Sequence, residues 1–132
     1  MKQGMQENHL FEYAIIRVVP RVEREEFLNV GVILYCRKPA FLQMKFALDE
    51  SRLTSLYTQI DMSDIQCHLK AFEEISAGKP EAGPIAALDI ASRFRWLTAK
   101  RSTVVQSSAV HPGLCKDPAT TLNRLFEQLV IS

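Results

Sequence analysis

From Phe11 to Leu48 the apolar residues recur at every second position, and beyond Asp49 they recur mostly at intervals of three and four. The first regime predicts strands. In Phe11 to Val19, Tyr13 and Ile15 fall on one side and Ala14, Ile16 and Val18 on the other, as in an interior strand. Pro20, which has no N–H to give a ladder, ends it. In Phe27 to Cys36 the alternation puts Leu28, Val30, Val32, Leu34 and Cys36 on one continuous apolar face, while Asn29 and Gly31 interrupt the other. Phe41 to Leu48 alternates cleanly, Leu42, Met44, Phe46 and Leu48 inward and Gln43 and Lys45 outward. Arg37-Lys38-Pro39-Ala40 joins the last two as a hairpin, with Pro39 pre-setting a turn dihedral.

The second regime predicts helices. Asp49 caps one carrying Leu53, Leu56, Tyr57 and Ile60. Ser63 and Gln66 have capping-box spacing ahead of a second, with Ile65, Leu69, Phe72 and Ile75 on its stripe and Gly78 as its stop. Gly78 to Pro84 reads as a loop. A third helix lies within Ala86 to Thr98, anchored by Leu88, Phe94 and Leu97. Thr103 to Val110 predicts a fourth strand, followed by a loop through His111-Pro112-Gly113. Asp117-Pro118 then opens a last helix with Leu122, Leu125, Phe126 and Leu129 on one stripe.

This order predicts an α+β fold. An antiparallel sheet of about four strands, a three-strand meander plus a late strand beside the first, carries helices mainly on one face. Residues 1–10 read as a flexible tail and 11–132 as a single domain, the size that 132 residues support.

Composition narrows the class. An apolar share of 47% and a charged share of 23% exclude a disordered or fibrous chain. The net charge of +1 makes nucleic-acid binding an unlikely role. Charge is unevenly placed, however: residues 46–92 carry eight acids and three bases, whereas 93–103 carry Arg93, Arg95, Lys100 and Arg101 with no acid. Cys36, Cys67 and Cys115 have neither metal nor redox spacing, which predicts reduced thiols in a cytoplasmic protein. No run approaches the length of a membrane span, and no cofactor motif occurs.

Candidate chemistry gathers around cations. Arg17 interrupts an apolar strand, so its guanidinium must find a polar cleft or a carboxylate. Asn29 and Gly31 mark a β-bulge, a close backbone approach or a ligand contact. The stretch "RVEREE" alternates sign between two strands. If the late strand pairs with the first, Lys100 and Arg101 approach Arg21 and Arg24, and the carboxylates of Glu23, Glu25 and Glu26 offset the repulsion, with Glu25 expected to pair an arginine. Arg21 and Arg101 are then the candidates for a phosphate or carboxylate, with the hydroxyls of Ser102 and Thr103 completing the site. The bland reading is a closed surface ion-pair network. His111 is a lone loop histidine able to serve as ligand or base. Trp96 and Phe94 beside Arg93 and Arg95 resemble an aromatic-plus-basic surface, but such residues on a short helix more often belong to a core.

The segments "YAIIRVVPRVEREEFLNVGVIL", "PEAGPIAAL", "RFRWLTAKRSTVVQSSAVHPGL" and "DPATTLNRLFEQLV" together resemble the bacterial family called domain of unknown function 3037, from about Phe11 to the C-terminus. The resemblance implies a small cytoplasmic bacterial protein of no assigned activity. It also implies a partner, a kinase similar to the HipA toxin. It assigns no catalytic residue. The leading class is a non-catalytic interaction or regulatory module with a basic anion-accepting patch; the alternative is an enzyme or nucleotide-binding protein acting on a phosphate-bearing substrate, and a nucleic-acid binder through residues 93–103 stands third.

Overall fold

The computed structural model describes residues 8–131. The tail assigned to residues 1–10 therefore lies mostly outside the described residues, and His9 and Leu10 already belong to the first strand. β1 (His9–Val18), β2 (Leu28–Cys36) and β3 (Phe41–Phe46) form the antiparallel meander. Three helices follow, α1 (Glu50–Leu56), α2 (Met62–Ala77) and α3 (Ile90–Leu97). The chain returns through β4 (Val105–Ser107) and β5 (His111–Cys115), and ends in α4 (Pro118–Phe126) with a wide π turn over Glu127–Ile131.

The late strand does lie beside the first, but it is longer than expected and broken. β4 pairs with Ile16–Val18 and β5 with His9–Tyr13, both antiparallel along the same edge of β1. The His111-Pro112-Gly113 stretch expected as a loop is thus the start of β5. At the break the Ile15 N–H donates to Ser108 Oγ at 2.8 Å, and the Ser108 N–H donates to the Ile15 carbonyl at 2.8 Å. The hydroxyl stands in for a ladder carbonyl, and the register beyond it is offset by one residue.

The sheet separates two apolar cores. α1, α2 and α3 cover one face through Leu53, Ile65, Leu69, Phe72, Ile75, Phe94 and Leu97, against Ala14, Ile16, Val18, Ile33 and Met44. α4 and the π turn after it cover the opposite face, where Leu122, Leu125, Phe126 and Val130 meet Phe11, Val32, Leu34 and Cys36. A bulge decides which β2 residues serve which core. Ile16 pairs with Gly31 but Arg17 pairs with Asn29, so Val30 is the extra residue. The continuous face expected for β2 is therefore two half-faces: Leu28 and Val30 join the three-helix core, and Val32, Leu34 and Cys36 join the α4 core. Gly31 has no room for a side chain, since a Cβ there would sit 2.7 Å from the Lys45 carbonyl oxygen.

Several helix ends differ from expectation. Asp49 caps α1 by accepting from the Arg52 N–H, but the helix stops before Tyr57 and Ile60. The cap of α2 is Asp61, accepting from the Asp64 N–H, while Ser63 donates its hydroxyl to Asp61. A carboxylate two residues earlier outcompetes the expected serine. α3 is capped by Asp89 through the Ser92 N–H, and Leu88, expected as its anchor, is 43% exposed. Gly78 ends α2 in the left-handed region as expected, with φ of 72°.

Candidate functional site

The connection between β1 and β2 keeps its charges to itself. Val22–Arg24 form one short 3-10 turn, ended by Glu25 in a left-handed conformation at φ 56°. Arg21 Nε donates to Glu23 at 2.7 Å and Arg24 Nε donates to Glu26 at 2.7 Å. Glu25, expected to pair an arginine, terminates the turn, and its two neighbours take the ion pairs. The arginines hold the carboxyls of Glu23 and Glu26 below the usual range, although all four side chains are largely exposed.

Arg101 is engaged elsewhere. Its Nη1 donates to the Leu97 and Ala99 carbonyls and its Nη2 to the Trp96 carbonyl, closing the C-terminus of α3. The guanidinium also stacks over Trp96, 4.4 Å from the ring centroid, and burial lowers its pKa. Arg101 and Thr103 share a hollow with His68 and Phe72, but Arg21 faces Tyr57 at 6.0 Å. Among the described residues the two guanidiniums share no partner and no hollow. Thr103 Oγ1 donates to the Val105 carbonyl, and Ser102 is exposed.

Arg17 lies over the Phe27 ring at 4.1 Å, and its Nε is buried without a hydrogen-bond partner among the described residues. Asn29, its partner in register, donates Nδ2 to the Leu129 carbonyl, which ties β2 to the turn after α4. The Asn29 Oδ1 is likewise buried and unpartnered among the described residues. His111, exposed, stacks beside Tyr13 at 5.3 Å.

The basic run 93–103 disperses in three directions. Arg93 and Arg95 are two residues apart on a helix, about 200° around its axis. Arg93 turns inward and donates to the Ala86 carbonyl. Trp96, 37% exposed, packs edge-on against Phe72 under the Arg101 guanidinium, so its face is not open to a base. Arg95 reaches across the sheet and makes a two-pronged pair with Glu12, at 3.1 and 3.4 Å.

Arg95 leads to a hollow of about 520 Å³, lined by His9, Leu10, Glu12, Tyr35, Arg37, Lys38 and Arg95. Register builds it. Phe11 stands opposite Cys36, so His9 and Leu10 overhang the end of β2 alongside the hairpin residues Arg37 and Lys38. Tyr35, buried against Phe94 with ring centroids 5.3 Å apart, forms the floor. Three basic side chains face this hollow against the single carboxylate of Glu12. Its rim is apolar on one side: Leu10 is 65% exposed and stands opposite Leu114, 66% exposed.

Arg37 and Lys38 carried no signal beyond that of a polar turn, and the Arg95–Glu12 pair spans 83 residues. A register between β1 and β2 is the only route from the sequence to this cluster.

The family model described as "Protein of unknown function (DUF3037)" matches residues 13–130, nearly the whole chain. No curated protein and no solved structure matches it. Among the described residues no helix is long and apolar enough to cross a membrane, and no group of three His, Cys, Asp or Glu side chains is placed to hold a metal ion.

Proposed function

We propose that this chain, which belongs to the DUF3037 family of proteins of unknown function, is a non-catalytic interaction module that receives an anionic group of a protein partner. The observation that carries this reading is the convergence of Arg37, Lys38 and Arg95 on one hollow against a single carboxylate. An excess of like charge around a concave surface attracts anions and speeds their encounter. Arg95 presents a planar fork suited to a carboxylate or phosphate, already demonstrated on Glu12, and an incoming anion would compete for it. On this reading, anion acceptance belongs to the hairpin end of the sheet. Arg21 and Arg101, the first candidates, do not line this hollow: Arg21 pairs with Glu23 and Arg101 closes the end of α3. The partner implied by the family resemblance is a kinase similar to the HipA toxin.

Titration of isotope-labelled protein with a short oligoglutamate peptide, and separately with inorganic phosphate, tests the reading. Amide shifts are expected to cluster at His9, Leu10, Tyr35, Arg37 and Arg95, and to vanish in the double variant Arg37→Glu, Lys38→Glu. Shifts absent for both probes, or unchanged in that variant, would remove the hollow as the anion site.

A further inference from the structure

Leu10 and Leu114 are the two most exposed large apolar side chains described, and they are cross-strand neighbours. Ser108 and Ile15 exchange bonds across the edge of β1, so the odd residues of β1 turn their backbone toward β4 and β5. Leu10 and Leu114 therefore form a non-hydrogen-bonded pair, the type in which facing side chains lie closer together. The three helices of that face stop short of them, α3 reaching only as far as the Arg95–Glu12 pair. The pair borders the basic hollow through Leu10.

We infer that the occupant of this surface is an acidic protein segment anchored by an aliphatic side chain, the aliphatic group seated on Leu10 and Leu114 and its Asp or Glu residues facing Arg37, Lys38 and Arg95. The inference rests on the anionic-partner reading above and adds the apolar half of the recognition. Charge complementarity selects this occupant. A second copy of the chain seated on the same patch would bring the three cations toward their own counterparts, a like-charge contact that disfavours the pairing. A long added strand is not what the edge offers, because Pro112, the second of the five residues of β5, lacks an N–H. Side chains rather than a backbone ladder must hold the segment.

The test compares three short synthetic peptides on the full chain: glutamates with two leucines, the same with serines for the leucines, and the same with lysines for the glutamates. The leucine-bearing acidic peptide is expected to bind about tenfold more tightly than its serine counterpart, the gain from burying an aliphatic side chain. That gain should disappear in Leu10→Ser and Leu114→Ser, whose melting temperatures stay near wild type because both side chains are exposed. The lysine peptide should not bind. Equal affinity of the leucine and serine peptides would overturn this inference and leave the anion site standing. Failure of both acidic peptides, with no response in Arg37→Glu, Lys38→Glu, would overturn both. Binding to vesicles of anionic phospholipid without binding to the peptides would also overturn it, in favour of a lipid surface. So would a concentration-dependent dimer that Leu114→Ser abolishes, in favour of a second copy.

Discussion

At Gly31 one missing side chain sets the architecture around it. The residue follows the bulge, and a Cβ added there would meet the Lys45 carbonyl oxygen at 2.7 Å and Phe46 Cβ at 3.0 Å. The nearer obstacle is backbone held in the β2–β3 ladder, so it cannot step aside as a flexible side chain would. Gly31→Val is expected to destabilise the fold by about 1–3 kcal/mol, the range for overpacking a filled interior. Denaturant unfolding measures it, and a loss within error of zero would mean the β3 edge yields. Lys45 shows the reverse economy of a long side chain: it donates to Asn123 at 2.8 Å and lies over Phe126 at 5.0 Å, covering α4 with its stem.

Among the described elements, α4 and the π turn that follows it cover the second face of the sheet. Leu122, Leu125 and Phe126 are buried as the stripe predicted, and Leu129 is half-buried in the following turn. Phe126→Ala is expected to cost about 3–5 kcal/mol, a large part of the stability of a small domain. A loss under about 1 kcal/mol would show that Phe11, Val32 and Leu34 tolerate the cavity. The helices of the other face depend on carboxylate caps. Hydrogen bonds from the Asp64 and Ser92 N–H groups hold Asp61 and Asp89 below their usual pKa of 3.8. A carboxyl depressed in the folded state stabilises it fully above its unfolded pKa, and that contribution is lost as pH falls through the folded value. The melting temperature should therefore fall as pH drops below about 4. Asp89→Asn, which keeps a capping oxygen but cannot titrate, should show a shallower decline. An identical pH profile in wild type and Asp89→Asn would remove this cap from the acid response.

Over the whole molecule, charge is separated by structure as well as by sequence. The acidic stretch 46–92 forms α1, α2 and the loop after them, while the cationic hollow opens at the hairpin end of the sheet. The field this sets up would turn an anionic partner of the proposed kind away from the helices and toward Arg37 and Lys38. The association rate of the acidic leucine peptide is expected to fall steeply as salt rises, because a Debye length of about 8–10 Å screens such steering at physiological ionic strength. A rate independent of salt, measured by stopped flow, would leave attraction with no part in the encounter.

The sequence by itself determined what depends on short-range periodicity and on backbone chemistry. Alternation over 11–48 was enough for the meander, the turn chemistry of Arg37 to Ala40 for the hairpin, and the stripe from Leu122 to Phe126 for a buried last helix. The tertiary structure decided what depends on register. Alternation in β2 looked unbroken because Val30 continues it, yet the bulge moves every residue after Gly31 to the opposite core. Ser108 rather than any loop signal sets the pairing of β5, since a hydroxyl can replace a carbonyl without changing the local pattern. Arg93, Arg95 and Arg101 read as one basic run because charge is counted along the chain, but helix rotation and a free carbonyl terminus send them to three different places. The hollow joins residues 9–12, 35–38 and 95, and only the facing of β1 on β2 and of α3 on Glu12 brings their charges within reach of one ligand.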